Sequence, residues 1–305
     1  MTRSQKHIKE KNNLIMNNIL VTGGCGFIGG HLVDKLVDTY PSAKIVVVDD
    51  LRTPGKHINE SPNVTYCFET IQDPELLEGL RLNYSFDNIF HLANTPRVRR
   101  AIEFPAETID NNVTSTTAIC ELGLAHSSHV YFAQSSSIQY ADQGTNTNAY
   151  TLSKTFCDQI LEMYMYQYGL QVTHMFYYSV YGPREADYGP YSTVVRRFKQ
   201  KVELGQPLEI YGNGSKRRDF TDVYDVVTNM MQMLDDPEVA SGTKKACHFG
   251  AGTPVSISDI ARAFNHSYVH KFDIEGEAQE TKCERPYGEY TGNVLEYIKA
   301  WRDNV

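Results

Sequence analysis

The 305-residue sequence is poor in the features that mark several protein classes. Its six cysteines (Cys25, Cys67, Cys120, Cys157, Cys247 and Cys283) include no Cys-x-x-Cys pair. That argues against a thiolate zinc site and a disulfide framework, so reduced thiols are expected. The ten histidines contain no His-Glu-x-x-His, and no metal centre is expected. Positive charge is in deficit: 29 Lys and Arg face 37 Asp and Glu, a formal net charge of -8. Such a chain repels nucleic-acid backbones and anionic lipid, so neither nucleic acid nor membrane is an expected partner. No window approaches the roughly 18 to 20 apolar residues of a membrane helix. Residues 1–15 lack the apolar middle of a secretory signal. These absences lead to the expectation of a cytoplasmic protein with a short, disordered, mildly basic lead over residues 1–15.

What is present is an alternation. Short apolar runs at 19–21, 45–48, 64–68, 88–92 and 129–132 are separated by helical patterns. In 31–40, for example, Leu32, Val33, Leu36 and Val37 share one face. A long helical stretch at 149–168 ends at Gly169 and is followed by a further strand at 172–178. Buried strands alternating with helices predict an α/β fold, a Rossmann-like doubly wound parallel sheet covered on both faces. Beyond residue 179 the segments shorten (190–204, 208–211, 257–264), which predicts a smaller mixed α/β lobe. A cleft is expected between the two, at the carboxyl ends of the strands.

The first strand runs into Thr22-Gly23-Gly24-Cys25-Gly26-Phe27-Ile28-Gly29. In Gly-x-x-Gly-x-x-Gly, Gly23 turns the chain, Gly26 admits a pyrophosphate to the backbone, and Gly29 lets helix and sheet approach. Asp49 follows Gly29 by 20 residues, at the end of the second strand. A carboxylate there accepts from ribose hydroxyls and repels an added phosphate, so NAD is the expected cofactor, with Arg52 leaving NADP as a minor option.

Tyr150 and Lys154 stand four apart on a helical pattern, hence on one face. A phenol ionises near pH 10, and a neighbouring ammonium is expected to lower that value and fit Tyr150 for taking or returning a hydroxyl proton. The run Gln134-Ser135-Ser136-Ser137, read as a turn after the strand at 129–132, adds a hydroxyl for the same oxygen.

With these pieces in order, the chain resembles the nucleotide-sugar epimerase/dehydratase branch of the extended short-chain dehydrogenase/reductases. TGGCGFIG, HLAN (His91 to Asn94), DNNVTST (Asp110 to Thr116), YGPRE, NGSKRRDFTDVYDVV (Asn213 to Val227) and ERPYGE (Glu284 to Glu289) are similar to that branch's motifs. The resemblance implies Ser136, Tyr150 and Lys154 as the catalytic set. It implies Gly23, Gly26, Phe27, Ile28, Gly29, Asp49, Leu92, Ala93, Asn111, Tyr150, Lys154 and Tyr177 around NAD. Ser136, Ser179, Val194, Arg218 and Arg285 are implied at the nucleotide sugar, the two arginines on its diphosphate. It also implies an NAD-binding domain of residues 16–178 with about 220–249, a sugar-nucleotide lobe of 179–219 with 250–305, and a homodimer. The helix face of Phe156, Ile160, Met163 and Tyr164 would pair the subunits.

Departures sharpen the reading. Dehydratases of the branch carry Asp-Glu after the catalytic hydroxyl, where this chain has Ser137 and Ile138, so a 4,6-dehydratase is not expected. Epimerisation needs no such carboxylates, and the expected activity is a UDP-hexose 4-epimerase. A reductase, a decarboxylase, or an idle NAD-binding protein are the alternatives, the last because Thr70, Phe176 and Ser179 depart from the branch pattern. The resemblance places Gly292 or Asn293 at the position that limits sugar size in the branch, and neither is bulky; with GPYSTVV (Gly189 to Val195), which resembles epimerases of N-acetylated or acidic UDP-sugars, this points toward such sugars. The basic run Arg97, Arg99 and Arg100 is read as a solvated helix face, with contact to an acidic sugar or the phosphates as the alternative.

Overall fold

The computed structural model describes residues 17–53, 56–143, 148–187 and 189–304. The expected lead, residues 1–15, lies outside them. The strands are β1 (Asn18–Thr22), β2 (Lys44–Val48), β3 (Val64–Cys67), β4 (Asn88–His91), β5 (His129–Ser135), β6 (Gln171–Tyr177), β7 (Val180–Tyr181), β8 (Leu208–Tyr211), β9 (Arg217–Arg218), β10 (Thr221–Asp222), β11 (Ala246–Phe249), β12 (Val255–Ser256) and β13 (Tyr268–Lys271). The helices are α1 (Phe27–Thr39), α2 (Pro74–Asn83), α3 (Val98–Glu103), α4 (Pro105–His126), α5 (Ala149–Tyr168), α6 (Val194–Glu203), α7 (Val223–Leu234), α8 (Pro237–Ala240), α9 (Ile257–Ala263) and α10 (Val294–Arg302).

Seven strands form one parallel sheet in the order β11-β6-β5-β4-β1-β2-β3. The sequence direction of strand order reverses between β1 and β4, which opens a crevice beyond their carboxyl ends. Side-chain alternation explains why both faces are covered. Ile19, Val21, Ile45 and Val47 pack with Leu32, Leu36, Val226 and Met230 from α1 and α7. Leu20, Val46, Ile89 and Val130 pack with Leu80, Ile119, Cys157 and Leu161 from α2, α4 and α5. Sequences apolar at every position form such doubly buried strands, where a half-exposed strand would alternate with polar residues. A third apolar cluster, with Phe198, Leu208, Ile210, Phe264 and Ile298, joins α6, β8, α9 and α10 beside three two-stranded ladders.

Two boundaries differ from the sequence reading. α1 begins at Phe27, four residues before the apolar pattern at 31–40, so Gly29 and Gly30 lie in its first turn. β5 extends three residues past 132, because its ladder with β6 continues to Ser135↔Tyr177. Gln134 and Ser135, expected in a turn, are therefore strand residues, and the 3-10 turn begins at Ser136.

α5 starts where the Asn148 side chain accepts the Thr151 N–H, a cap that fixes the phase of Tyr150 and Lys154 on the helix. Of the residues expected on a subunit face, Phe156 and Met163 are exposed, whereas Tyr164 is buried with its hydroxyl donating to Glu121 of α4. Tyr164 is thus internal packing, and it leaves the subunit-face expectation to the other three. All six cysteines are unpaired thiols. No helix among the described residues is long and apolar enough to cross a membrane.

Candidate active site

A cleft of about 460 Å³ lies at the carboxyl ends of the parallel strands. At one end are Gly23, Gly26, Phe27, Ile28, Gly29 and Asp49, then Leu92, Ala93 and Asn111. The middle holds Ser135, Ser136, Ser137, Tyr150, Lys154, Tyr177 and Ser179, and the far end Val194, Arg197, Tyr211, Lys216 and Arg218. Residues separated by more than a hundred positions meet here because those of the near end and middle follow neighbouring strands of one sheet or lie on helices beside them, and those of the far end come from α6, β8, β9 and the residue before β9.

The glycine turn is closed by backbone. Gly23 has φ +73°, and a β-carbon there would stand 2.7 Å from the Leu92 carbonyl carbon. At Gly29 a β-carbon would meet the Gly23 carbonyl oxygen at 2.1 Å. The amino end of α1 opens onto the cleft, so its free N–H groups favour an anion. The Asp49 carboxylate accepts from Cys25 N–H (2.9 Å) and Leu51 N–H (2.9 Å), which fixes its orientation, while burial pushes its pKa up. Arg52 is drawn to Asp50 (2.6 Å) and also donates to Asn111 Oδ1 (3.3 Å). This donor set, a backbone cradle for pyrophosphate and a held carboxylate for ribose hydroxyls, fits NAD.

At the centre the Lys154 ammonium donates to Asn94 Oδ1 (2.6 Å) and the Ala133 carbonyl (2.5 Å) and lies 4.6 Å from the Phe132 ring centre. Burial lowers its pKa to about 8. Burial raises the Tyr150 phenol, opposed by a hydrogen bond with Ser135 and by the field of Arg97. The expectation that Lys154 makes this phenol acidic is therefore corrected. The ammonium is turned to neutral acceptors at the end of β5 and beyond β4, and the opposing influences come from Ser135 and Arg97.

Behind Lys154, His91 is fully buried between Thr22 Oγ1 (2.7 Å) and the Asn94 amide (3.2 Å). Burial lowers its pKa from 6.5 to about 3, and that of His129, bonded to Thr173 Oγ1 (2.9 Å), to about 4. Folded values below 6.5 mean that the unfolded chain binds more protons on acidification, so stability present above pH 6.5 is lost as pH falls. Between pH 6.5 and 5 each histidine is expected to remove about 2 kcal/mol. Urea midpoints across that range will check this. His129→Gln should flatten the fall, and an unchanged pH slope would contradict the assignment.

Residues 19–246 match the NAD dependent epimerase/dehydratase family. The chain belongs to that family. A Methanocaldococcus jannaschii protein carrying the provisional name UDP-glucose 4-epimerase is 29% identical over 260 residues, 81% of each chain. A UDP-N-acetyl-alpha-D-glucosaminuronate decarboxylase of Bacillus cytotoxicus is 30% identical over 267 residues, 82% of this chain and 80% of that one. In fold, the chain is similar to the UDP-glucuronic acid 4-epimerase of Bacillus cereus in complex with UDP-glucuronic acid and NAD, with a TM-score of 0.78 at 21% identity, covering 94% of this chain and 98% of that one.

Three expectations change with the structure, two drawn from the epimerase/dehydratase resemblance and one from the weak value of surface charges. Arg285 is exposed and does not line the cleft. Its segment is pinned elsewhere, by Cys283 N–H to Asp219 and Tyr287 N–H to the His248 carbonyl on the edge strand β11. Gly292 and Asn293 do not line it either. Gly292 N–H donates to Asp225 (2.7 Å) and Asn293 caps α10, so they say nothing of sugar size. The run Arg97, Arg99 and Arg100 is not a solvated face. Arg100 is buried against Glu107 and the Tyr191 hydroxyl, and Arg97 and Arg99 line the cleft.

Arg97 sits at φ 83°, a conformation rare outside glycine, and donates to the Tyr191 carbonyl (3.1 Å). Arg99 and Arg197 both lie over the Tyr211 ring, at 5.3 and 5.9 Å from its centre. Burial and the neighbouring guanidinium of Arg99 lower Arg197 to about 10. No carboxylate pairs with Arg97, Arg99 or Arg197 among the described residues. Sequence reading missed Arg197 and Tyr211, which only the second lobe's packing brings to the cleft, and Asn94, whose signal was the amide at the end of HLAN. The other departures are mild: Thr70 and Ser179 line the cleft, while Phe176 stacks on His248 at 4.6 Å, outside the lining.

Proposed function

We propose that the protein is an NAD-dependent nucleotide-sugar 4-epimerase acting on a UDP-hexose through a transient 4-keto sugar. The observation that carries this reading is a Ser136, Tyr150 and Lys154 centre whose neighbours at 133–137 and 177–179 hold no carboxylate. Elimination of water needs an additional acid and base, and the positions for them are Ser137 and Ile138. Oxidation and re-reduction at one carbon need only a proton carrier and a hydride partner.

NAD, when bound, supplies that hydride acceptor and donor. Gly23, Gly26, Phe27, Ile28, Gly29 and Asp49 would hold its adenosine and pyrophosphate, with Leu92, Ala93, Asn111 and Tyr177 beside the remainder. Tyr150 takes the proton of the sugar hydroxyl and later returns it, and Ser136 hydrogen-bonds the same oxygen. Arg218, in place of the expected pair with Arg285, holds the diphosphate together with Arg97, Arg99 and Arg197. Arg97, Arg99 and Arg197 form no ion pair with a carboxylate among the described residues, and their charge suits phosphate oxygens, whereas Arg218 is shared with Glu277 (3.3 Å). With the diphosphate held, the keto sugar can present its other face before reduction. The reading includes a homodimer through the exposed Phe156 and Met163 face of α5, testable by sedimentation.

The test is incubation with NAD and UDP-glucose, UDP-N-acetylglucosamine or UDP-glucuronic acid, followed by NMR of the anomeric protons. Interconversion without net NADH or carbon dioxide is expected, and its absence with every sugar would remove the reading. The 30% identity to a decarboxylase supports a second reading, loss of carbon dioxide from an acidic UDP-sugar, which the same assay detects. Arg99→Ala is expected to raise KM about 10- to 100-fold with kcat within a few-fold, since it binds ground and transition states alike. A fall in kcat at unchanged KM would place Arg99 at the reacting carbon instead.

A further inference from the structure

We propose that Asn94 is a positioning residue that holds the Lys154 ammonium in its charged form and fixes where it points. The inference rests on the epimerase reading for its catalytic meaning, but its geometry stands apart from that reading.

Donor and acceptor chemistry leaves one arrangement. An ammonium can only donate, so the amide oxygen of Asn94 must face Lys154 (2.6 Å). The amide NH2 then faces Ser115 Oγ (3.0 Å) and His91 Nε2 (3.2 Å). An NH2 can only donate, so Nε2 accepts. The neutral ring's proton therefore sits on Nδ1 and donates to Thr22 Oγ1 (2.7 Å). The result is a buried chain of neutral groups, Thr22, His91 and Asn94, running from the end of β1 through the end of β4 to the ammonium. With the Ala133 carbonyl, it occupies two of the three ammonium donors and leaves one for the cleft that Lys154 lines.

The groups facing the ammonium are few. β4 contributes neutral His91, β5 the Phe132 ring and Ala133 carbonyl, and α4 the neutral Asn112 and Ser115 around the amide. α5 itself contributes the Cys157 thiol. No carboxylate pairs with Lys154 among the described residues. A neutral acceptor has a particular consequence in such a place. It supports the cation in a desolvated site without cancelling its positive field, as a carboxylate would, and leaves that charge to the cleft that Lys154 lines.

Removal and ionisation of the acceptor should act in opposite directions. In Asn94→Ala the ammonium loses its acceptor, and the Lys154 titration midpoint should fall by about one pH unit. In Asn94→Asp the introduced carboxylate keeps the acceptor, adds an anion, and can be accommodated by exchange of the His91 tautomer, so the midpoint should rise by about one pH unit or more. The midpoint is read directly by NMR of isotope-labelled lysine side chains, assigned with Lys154→Met, and needs no turnover. Opposite shifts are the expected result. Equal midpoints in all three proteins, or a shift in the same direction in both variants, would overturn the proposal, including where Asn94→Ala is recovered poorly and only Asn94→Asp can be titrated and shows none. In an active enzyme the alkaline limb of kcat should move with the NMR midpoint. NMR shifts without turnover on any UDP-sugar would count against the epimerase reading and leave the Asn94 role standing.

Discussion

Tyr150→Phe is expected to lower kcat about 100- to 10,000-fold while NAD binding and melting temperature stay close to those of the unaltered protein. The substitution removes one hydroxyl and keeps the ring, so α5 and the cleft wall lose no packing. What is lost is the group that carries the proton of the sugar hydroxyl, and a hydride cannot leave a carbon whose hydroxyl keeps its proton without forming a high-energy cation. The phenol is raised by burial, with Ser135 and Arg97 opposing that shift. Ser135→Ala is therefore expected to slow the reaction less than Tyr150→Phe and to move the pH at which activity appears to higher values. Steady-state kinetics over pH, with calorimetric NAD titration as the control, will check both. A kcat within tenfold for Tyr150→Phe would remove Tyr150 from the chemistry and favour an NAD-binding protein without turnover.

The second large effect is expected at Gly29. A β-carbon there would fall 2.1 Å from the Gly23 carbonyl oxygen, and the atoms it meets are backbone, which cannot swing aside. Gly29→Ala must push α1 away from the first turn and spoil the spacing of the N–H groups that would meet a pyrophosphate. NAD binding should fall below detection by calorimetry. The overpacking should lower the melting temperature by roughly 5 °C. Gly79→Ala is the control. It lies within α2 with open space where a β-carbon would be, so it should bind NAD normally and be slightly more stable. Normal NAD affinity in Gly29→Ala would mean that the turn does not hold the dinucleotide.

Much of this site was legible in the sequence because its pieces are local. A glycine turn, an acidic residue one strand later and a tyrosine four residues before a lysine each declare themselves within a short window. What lay beyond reach depends on directions between elements. Nothing in Arg97, Arg99 and Arg100 says which side of α3 meets the second lobe, and a run of three arginines reads as surface. Arg285 sits in a motif that suggested phosphate, yet its segment is tied by backbone bonds to Asp219 and His248 at the sheet edge. The Lys154 and Tyr150 pair was predicted from helical spacing. Spacing gives a shared face but not a rotamer, and the rotamer here follows acceptors on β5 and just beyond β4.

By itself the sequence determined the parallel sheet, since runs apolar at every position can be buried only between two layers of helices. It also displayed the glycine turn, the acidic residue after the second strand and the four-residue spacing of Tyr150 and Lys154, because each lies within a short window, while Ser136 beside them is what the family resemblance implies. Tertiary structure alone decided which cations face the cleft, which serine meets the phenol, and where the lysine's charge is held. Those choices are made by side chains from strands and lobes distant in sequence, whose donors and acceptors can be matched only after the chain has folded.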